Sequence, residues 1–143
     1  MSTINYKIAS MQVASSQITK EKYGDEGNTK IGNSFAFTIN EENCLLLCSH
    51  KLVLKKNEQV FAEVTLETIF AISPDSFNEM KKDGKIVISK GFLIQCGSIS
   101  YGTLRGIVLQ DSRKVGLENI IIPPLYVDTI IKEPMIVDSK EKK

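Results

Sequence analysis

Tryptophan is absent from this 143-residue chain, histidine occurs once, and the aromatic complement is six Phe and four Tyr. Cysteine is scarce and odd in number. Cys44, Cys48 and Cys96 lack C-x-x-C spacing, which argues against a disulfide scaffold and fits a reducing cytoplasm. No charge sign dominates: 18 Lys and Arg stand against 17 Asp and Glu, a formal net charge of +1. The chain therefore lacks the positive field of most nucleic-acid binders, and nucleic acid is not the expected partner. Eighteen apolar residues never run together, and Met1 to Ser10 holds no apolar core of signal-peptide length. The expectation is a cytoplasmic protein, neither exported nor inserted in a membrane. Gly-x-Gly-x-x-Gly and the P-loop pattern are also missing. Gly102-Thr103-Leu104-Arg105-Gly106 follows no clear strand and carries no Lys-Ser/Thr, so it is no phosphate loop.

What is present is ordinary globular material, 42% hydrophobic and 24% charged, at the length of one domain. Such a chain hides roughly 70% of its unfolded surface. A single domain over residues 1–137 is expected, with a charged, frayed tail over 138–143.

The first half alternates with period two. Ile4, Tyr6 and Ile8 share one parity and Met11 and Val13 the other, a phase change that predicts a bulge near Ala9 or Ser10. Tyr23 to Asn33, rich in Gly, Asp and Asn, reads as a loop. Phe35, Phe37 and Ile39 begin a half-buried strand that ends at Glu41-Glu42-Asn43. Cys44, Leu46, Cys48, His50, Leu52 and Leu54 share one face of the next strand, which ends at Lys56-Asn57-Glu58. Val60, Ala62, Val64, Leu66, Phe70 and Ile72 line a long fourth strand. Turns this short join antiparallel neighbours. A sheet with one apolar face needs a cover, so the second half must supply it and the class is α+β.

The second half is less explicit. Pro74 ends the sheet region, and Met80 to Lys85 reads as a loop or initiating turn. Ile86 to Gln110 is mostly apolar and can place Leu93, Ser100, Leu104 and Ile107 on one helical face. Arg113, Lys114 and Gly116 suit a helix end. Four interior glycines oppose a helix, at about 1 kcal/mol each relative to alanine, and Ile86-Val87-Ile88 suits a strand equally well. If the segment is helical, Gly102 and Gly106 permit close approach of another backbone. Ile120 to Pro124 is extended because of its prolines, and Leu125 to Lys132 has room for about two helical turns before Pro134.

Chemistry finds little support. Cys44, Cys48 and His50 share a strand face, but residues four apart on a strand lie roughly 13 Å apart, too far for one zinc ion or for a Cys44–Cys48 disulfide. Cys96 served by His50 would need an oxyanion loop, which the sequence does not offer. Glu63 and Glu67 are spaced as a solvated strand face. No catalytic residue, metal ligand or cofactor is expected. The signal that stands out is apolar excess. Phe35, Phe37, Phe61, Ile69, Phe70, Ile72 and the stretch Ile120 to Ile131 exceed what one sheet-plus-helix core needs, and Phe61 and Ile69 lie opposite Val64 and Leu66. A second cover is implied: a subunit, a bound partner, or the C-terminal segment itself.

Three segments resemble SecB, the bacterial export chaperone family. Glu63 to Ile72, with Ile69-Phe70-Ala71-Ile72, is similar to the family's fourth strand and its Ile-Phe-Ser-Ile-like ending. Ser100 to Val108 looks like its Pro-Tyr-Ala-Arg helix segment. Pro123-Pro124-Leu125-Tyr126-Val127-Asp128 resembles its Pro-Val-Asn-Phe-Asp signature, with Asp128 at the aspartate. The likeness spans most of Tyr6 to Ile131 in element order. It implies a Greek-key sheet, a long helix and a short C-terminal helix, with dimers joined into a tetramer. It also implies hydrophobic grooves that hold unfolded, export-competent polypeptides without ATP. On that resemblance Phe70, Ile72, Leu125, Tyr126, Val127 and Ile130 are the candidate peptide-binding positions. The family's first strand carries acidic residues for docking on the SecA motor. Lys7 to Val13 has none, so a dedicated client such as an antitoxin stands beside a general export role. The alternatives are an adaptor for one folded partner, and a hotdog-like ligand carrier or thioesterase whose acidic residue at the helix start would be Asp83.

Overall fold

The computed structural model describes residues 3–23, 28–118 and 120–140. Four long strands, β1 (Tyr6–Ile18), β2 (Thr29–Asn40), β3 (Leu45–Lys56) and β4 (Gln59–Ile72), form one antiparallel sheet in the order β1-β4-β3-β2. β2, β3 and β4 follow one another as hairpins, and β1 returns beside β4, which makes the sheet a Greek key. The β3–β4 loop is two residues, Asn57 and Glu58, at φ 55° and 63°, as a type I′ hairpin requires. In β1 the register shifts between Ile8 and Ser10, where the phase change predicts a bulge, and again between Val13 and Ser15.

Two expectations for the sheet need correction. The segment Thr29–Asn33 is strand, not loop; Gly24, Asp25 and Gly27 lie outside the described residues. Asn33 is held in place because its side-chain oxygen bonds the buried His50. Cys44 is not on β3 but in the preceding turn, at φ 55°.

The cover is helix α2 (Lys90–Lys114). Ser89 caps its start, its hydroxyl accepting from Phe92 N–H at 3.2 Å. The end is a Schellman motif, with Leu117 N–H bonded to Ser112 O at 2.9 Å and Gly116 at φ 86°, in the left-handed conformation that glycine adopts freely. By length and composition α2 could cross a membrane. Here it lays Phe92, Cys96, Ser100, Leu104 and Val108, spaced by four, onto the sheet, all of them buried. They meet Leu46, Cys48, His50, Leu52 and Leu54 of β3 and Val64, Leu66, Phe70 and Ile72 of β4. Phe61 joins this core, at 1% exposure. A register shift after Leu54 buries it alongside Ala62, so Phe61 needs no second cover.

Between sheet and helix the chain adds α1 (Pro74–Glu79) and the hairpin β5 (Lys81–Lys82) and β6 (Lys85–Ile88). Its turn is Asp83-Gly84, at φ 53° and 76°. Asp83 thus sits in a hairpin turn rather than at the start of α2, which removes the residue that a hotdog-like enzyme would use. After α2, Ile120–Pro124 runs extended as expected, tied down by Tyr101 Oη–H to Pro123 O (2.7 Å) and Arg105 Nε–H to Ile122 O (2.9 Å). The expected two-turn helix over 125–132 is only a 3-10 turn, Val127–Thr129. Prolines on both sides leave too short a segment to repay helix nucleation. The chain then forms β7 (Met135–Asp138), which pairs with β6. Asp138 therefore belongs to a strand and not to a frayed tail.

Candidate functional site: an apolar groove along an open sheet edge

β2 is an edge strand. Among the described residues it pairs only with β3, and its sequence carries one charge, Lys30. Long edges with few charges invite another strand. Alternation turns Phe35, Phe37 and Ile39 toward the helix side, opposite His50, Cys48 and Leu46. The same alternation puts Leu45 and Leu47 of β3, and Ile69 opposite Leu47 on β4, on the outer face.

The C-terminal segment completes a concave surface beside this edge. A cavity of about 800 Å³ follows the β2 edge, lined on the helix side by Phe37, Ile39, Ile86, Met135 and Val137 and reaching round the edge to Leu45, Leu47 and Ile69 on the outer face. It continues past Phe37 and Met135 into a second hollow of about 380 Å³ bordered by Phe35, Leu93, Ile130 and Pro134. Glu41, Glu42, Asp138 and Lys140 stand at the polar rim. The lining is apolar and the β2 edge is open, so the arrangement can accept an extended chain through side-chain burial and main-chain hydrogen bonds.

A buried polar cluster sets the position of this wall. His50 is fully buried, with Nε2 2.8 Å from Asn33 Oδ1 and Nδ1 3.0 Å from Ser100 Oγ. An amide oxygen only accepts, so Nε2 carries the proton and Nδ1 accepts from the Ser100 hydroxyl. Phe35 stacks on the imidazole at 4.2 Å between centroids. Burial pushes the His50 pKa down to about 4 and the Cys48 and Cys96 thiols up to about 12. The imidazole is neutral and both its nitrogens are engaged. It does not act as a base for Cys96, and protonated thiols are poor nucleophiles. Strand β2 is thereby pinned to α2 through β3.

The six residues singled out from the sequence divide among three environments. Phe70 and Ile72 lie in the core, at 0% and 3% exposure, and Val127 is also buried. Val127 packs with Ile131 over Gly97, whose position leaves only 3.0 Å to either side chain for an added Cβ. Leu125 is half-buried between the two halves of the core. Tyr126, 82% exposed, projects into solvent, and Ile130 alone of the six borders the groove. The other groove residues, Phe37, Ile39, Leu47, Met135 and Val137, were not selected. The available signal was the apolar excess on both faces, which included Phe35, Phe37 and Ile69.

No family model and no curated protein matches the chain. Among solved structures it is similar to the Mycobacterium tuberculosis Rv1957 SecB-like chaperone, determined in complex with a ChAD peptide from the Rv1956 HigA1 antitoxin. The match has a TM-score of 0.60 and covers 84% of this chain and 89% of that one, at 9% identity. The fold is SecB-like. The SecB-like Greek key and long helix implied by the short sequence matches are thus present, whereas the C-terminal helix is replaced by a 3-10 turn and β7.

Proposed function

We propose that this chain is a non-enzymatic, ATP-independent chaperone that holds unfolded polypeptide segments in the groove between β2 and β7. The observation that carries this reading is the apolar cavity of about 800 Å³ beside a strand edge that is unpaired among the described residues. Twelve residues of β2 offer about 40 Å of edge at ~3.3 Å per residue, enough for a substantial extended segment. Apolar contacts without shaped specificity suit many sequences, as a holdase requires. The adaptor reading, with one dedicated client, draws support from the structural neighbour, which was solved with an antitoxin peptide.

The working form on this reading is a homo-oligomer built on β1. That strand is an edge of 13 residues with one charge, Lys7. Ile8, Met11 and Val13 on it are 44%, 37% and 40% exposed, an apolar strip unusual for a free monomer surface.

Suppression of aggregation of a thermally destabilised client tests the proposal. The full chain is expected to keep the client soluble, and Ile39→Asp, which puts a charge into the β2 wall of the groove, to abolish most of that effect while the fold is retained. A dedicated adaptor would bind its partner and ignore an unrelated unfolded competitor. Absence of affinity for any unfolded polypeptide would overturn both readings.

A further inference from the structure

The second wall of the groove is unlike the first. β7 is four residues long and, among the described residues, pairs only with β6. Its side chains alternate: Met135 and Val137 pack toward the core, while Ile136, 57% exposed, and Asp138 face solvent. That is how an extended apolar client would present itself to the same surface.

The strand is fastened at one end by polar contacts. Ser139 N–H donates to Gly84 O at 2.8 Å, and Lys85 Nζ lies 2.6 Å from Asp138 Oδ1. Ser139 Oγ–H and Lys140 N–H donate to the two oxygens of Glu41 at 2.6 and 2.7 Å. Lys81 Nζ stands 3.6 Å from the same carboxylate. Glu41 follows directly on β2. One carboxylate therefore joins the end of one groove wall to the end of the other. Short ladders held by surface hydrogen bonds open at far lower free energy than long central ones, and the β3–β4 ladder runs nearly the full length of both strands.

We propose that β7 is a movable wall of the groove, a strap that swings off β6 and yields its place to an extended polypeptide with apolar residues at alternate positions. This rests on the reading of the groove as a polypeptide site. Release of the Glu41 contacts together with the four-pair β6–β7 ladder would free the edge of β6 and uncover Ile86 and Ile88, now 1% and 0% exposed, and an incoming segment would cover them again. Apparent affinity then scales with the fraction of molecules whose strap is open. A strap closed in 99 of 100 molecules weakens binding about 100-fold.

The test locks the strap in the full-length protein. Val87 and Ile136 face each other across the β6–β7 ladder, and Val87 N–H is bonded away from β7, to Met80 O. They form the closer, non-hydrogen-bonded kind of pair, within the span of a disulfide. The double variant Val87→Cys/Ile136→Cys is assayed, oxidised and reduced, with fluorescently labelled, reduced and carboxymethylated α-lactalbumin as the unfolded probe. The oxidised form is expected to bind at least ~10-fold more weakly than the reduced form, and Glu41→Gln to bind more tightly than the natural chain. Equal binding by oxidised and reduced forms would make β7 a fixed wall and overturn the strap. If no form binds the probe, the groove reading itself fails, and amide exchange without client still judges the strap. The β6–β7 amides should then exchange at least ~100-fold faster than those of β3–β4, and equal protection would overturn it.

Discussion

Thr68 and His50 are both buried on the helix side of the sheet, and only one has its polar atoms matched. The imidazole has a partner on each nitrogen, whereas Thr68 Oγ1 has none among the described residues. A buried hydroxyl without a partner costs about 1–3 kcal/mol, so Thr68→Val, which keeps the shape, is expected to stabilise the chain by about 1 kcal/mol. Thermal unfolding should register a rise of about 2–4 °C for a domain of this size. His50 yields a pH prediction. Burial lowers its pKa from 6.5 to about 4, so the folded state binds fewer protons than the unfolded state between those values. Its contribution to stability is fully present above about pH 6.5 and is lost as the pH falls toward 4. The denaturant midpoint should drop between pH 7.5 and pH 5, and His50→Gln should flatten that slope. Glu41, held below the ordinary carboxylate range chiefly by the Ser139 hydroxyl, and Asp138, lowered chiefly by its bond to Lys85, add their losses only at lower pH.

At the scale of elements, α2 carries a test of the propensity argument. Gly97 is closely approached by Val127 and Ile131, but an added Cβ at Gly102 or Gly106 meets nothing within 4 Å. Among the described residues no backbone approaches Gly102 or Gly106 closely; the tight position in the helix is Gly97, where side chains and not a backbone come near. Gly106→Ala should therefore raise helix stability by up to ~1 kcal/mol, while Gly97→Ala should lower stability, both read from denaturant midpoints. These elements also show what the sequence makes legible. Period-two alternation locates the strands and the β1 bulge because side-chain direction is set by the backbone alone. It misplaces Thr29–Asn33, where glycine and amides suggest a loop, because the Asn33–His50 bond is a tertiary contact. Ile86-Val87-Ile88, which suits strand or helix equally, forms β6, whereas β5 and β7 go unread, because strands of two to four residues carry too little pattern to stand out. The groove is half legible for the same reason. Its β2 wall is an alternating run, and its other wall is a short segment given meaning by its pairing with β6.

For the whole molecule the testable quantity is mass in solution. If β1 is the contact between copies, Met11→Lys with Val13→Lys should convert an oligomer to monomer, visible by light scattering, without loss of secondary structure. Charges on an edge strand block pairing at little cost to the fold. The groove lies at the opposite edge of the sheet, β2, so client binding should survive in the dissociated form at reduced avidity.

The strand order has a consequence in time as well as in space. β1 precedes every other strand in the chain yet pairs with β4, joining Tyr6 to Ile72 and Ile18 to Ala62. Local hairpins close in microseconds, whereas a contact across so many residues waits on a costly loop closure. The three-strand meander should therefore assemble first and β1 dock late. A chain in which β1 has yet to dock would expose a bare β4 edge, so aggregation during refolding should rise when β1 docking is slowed.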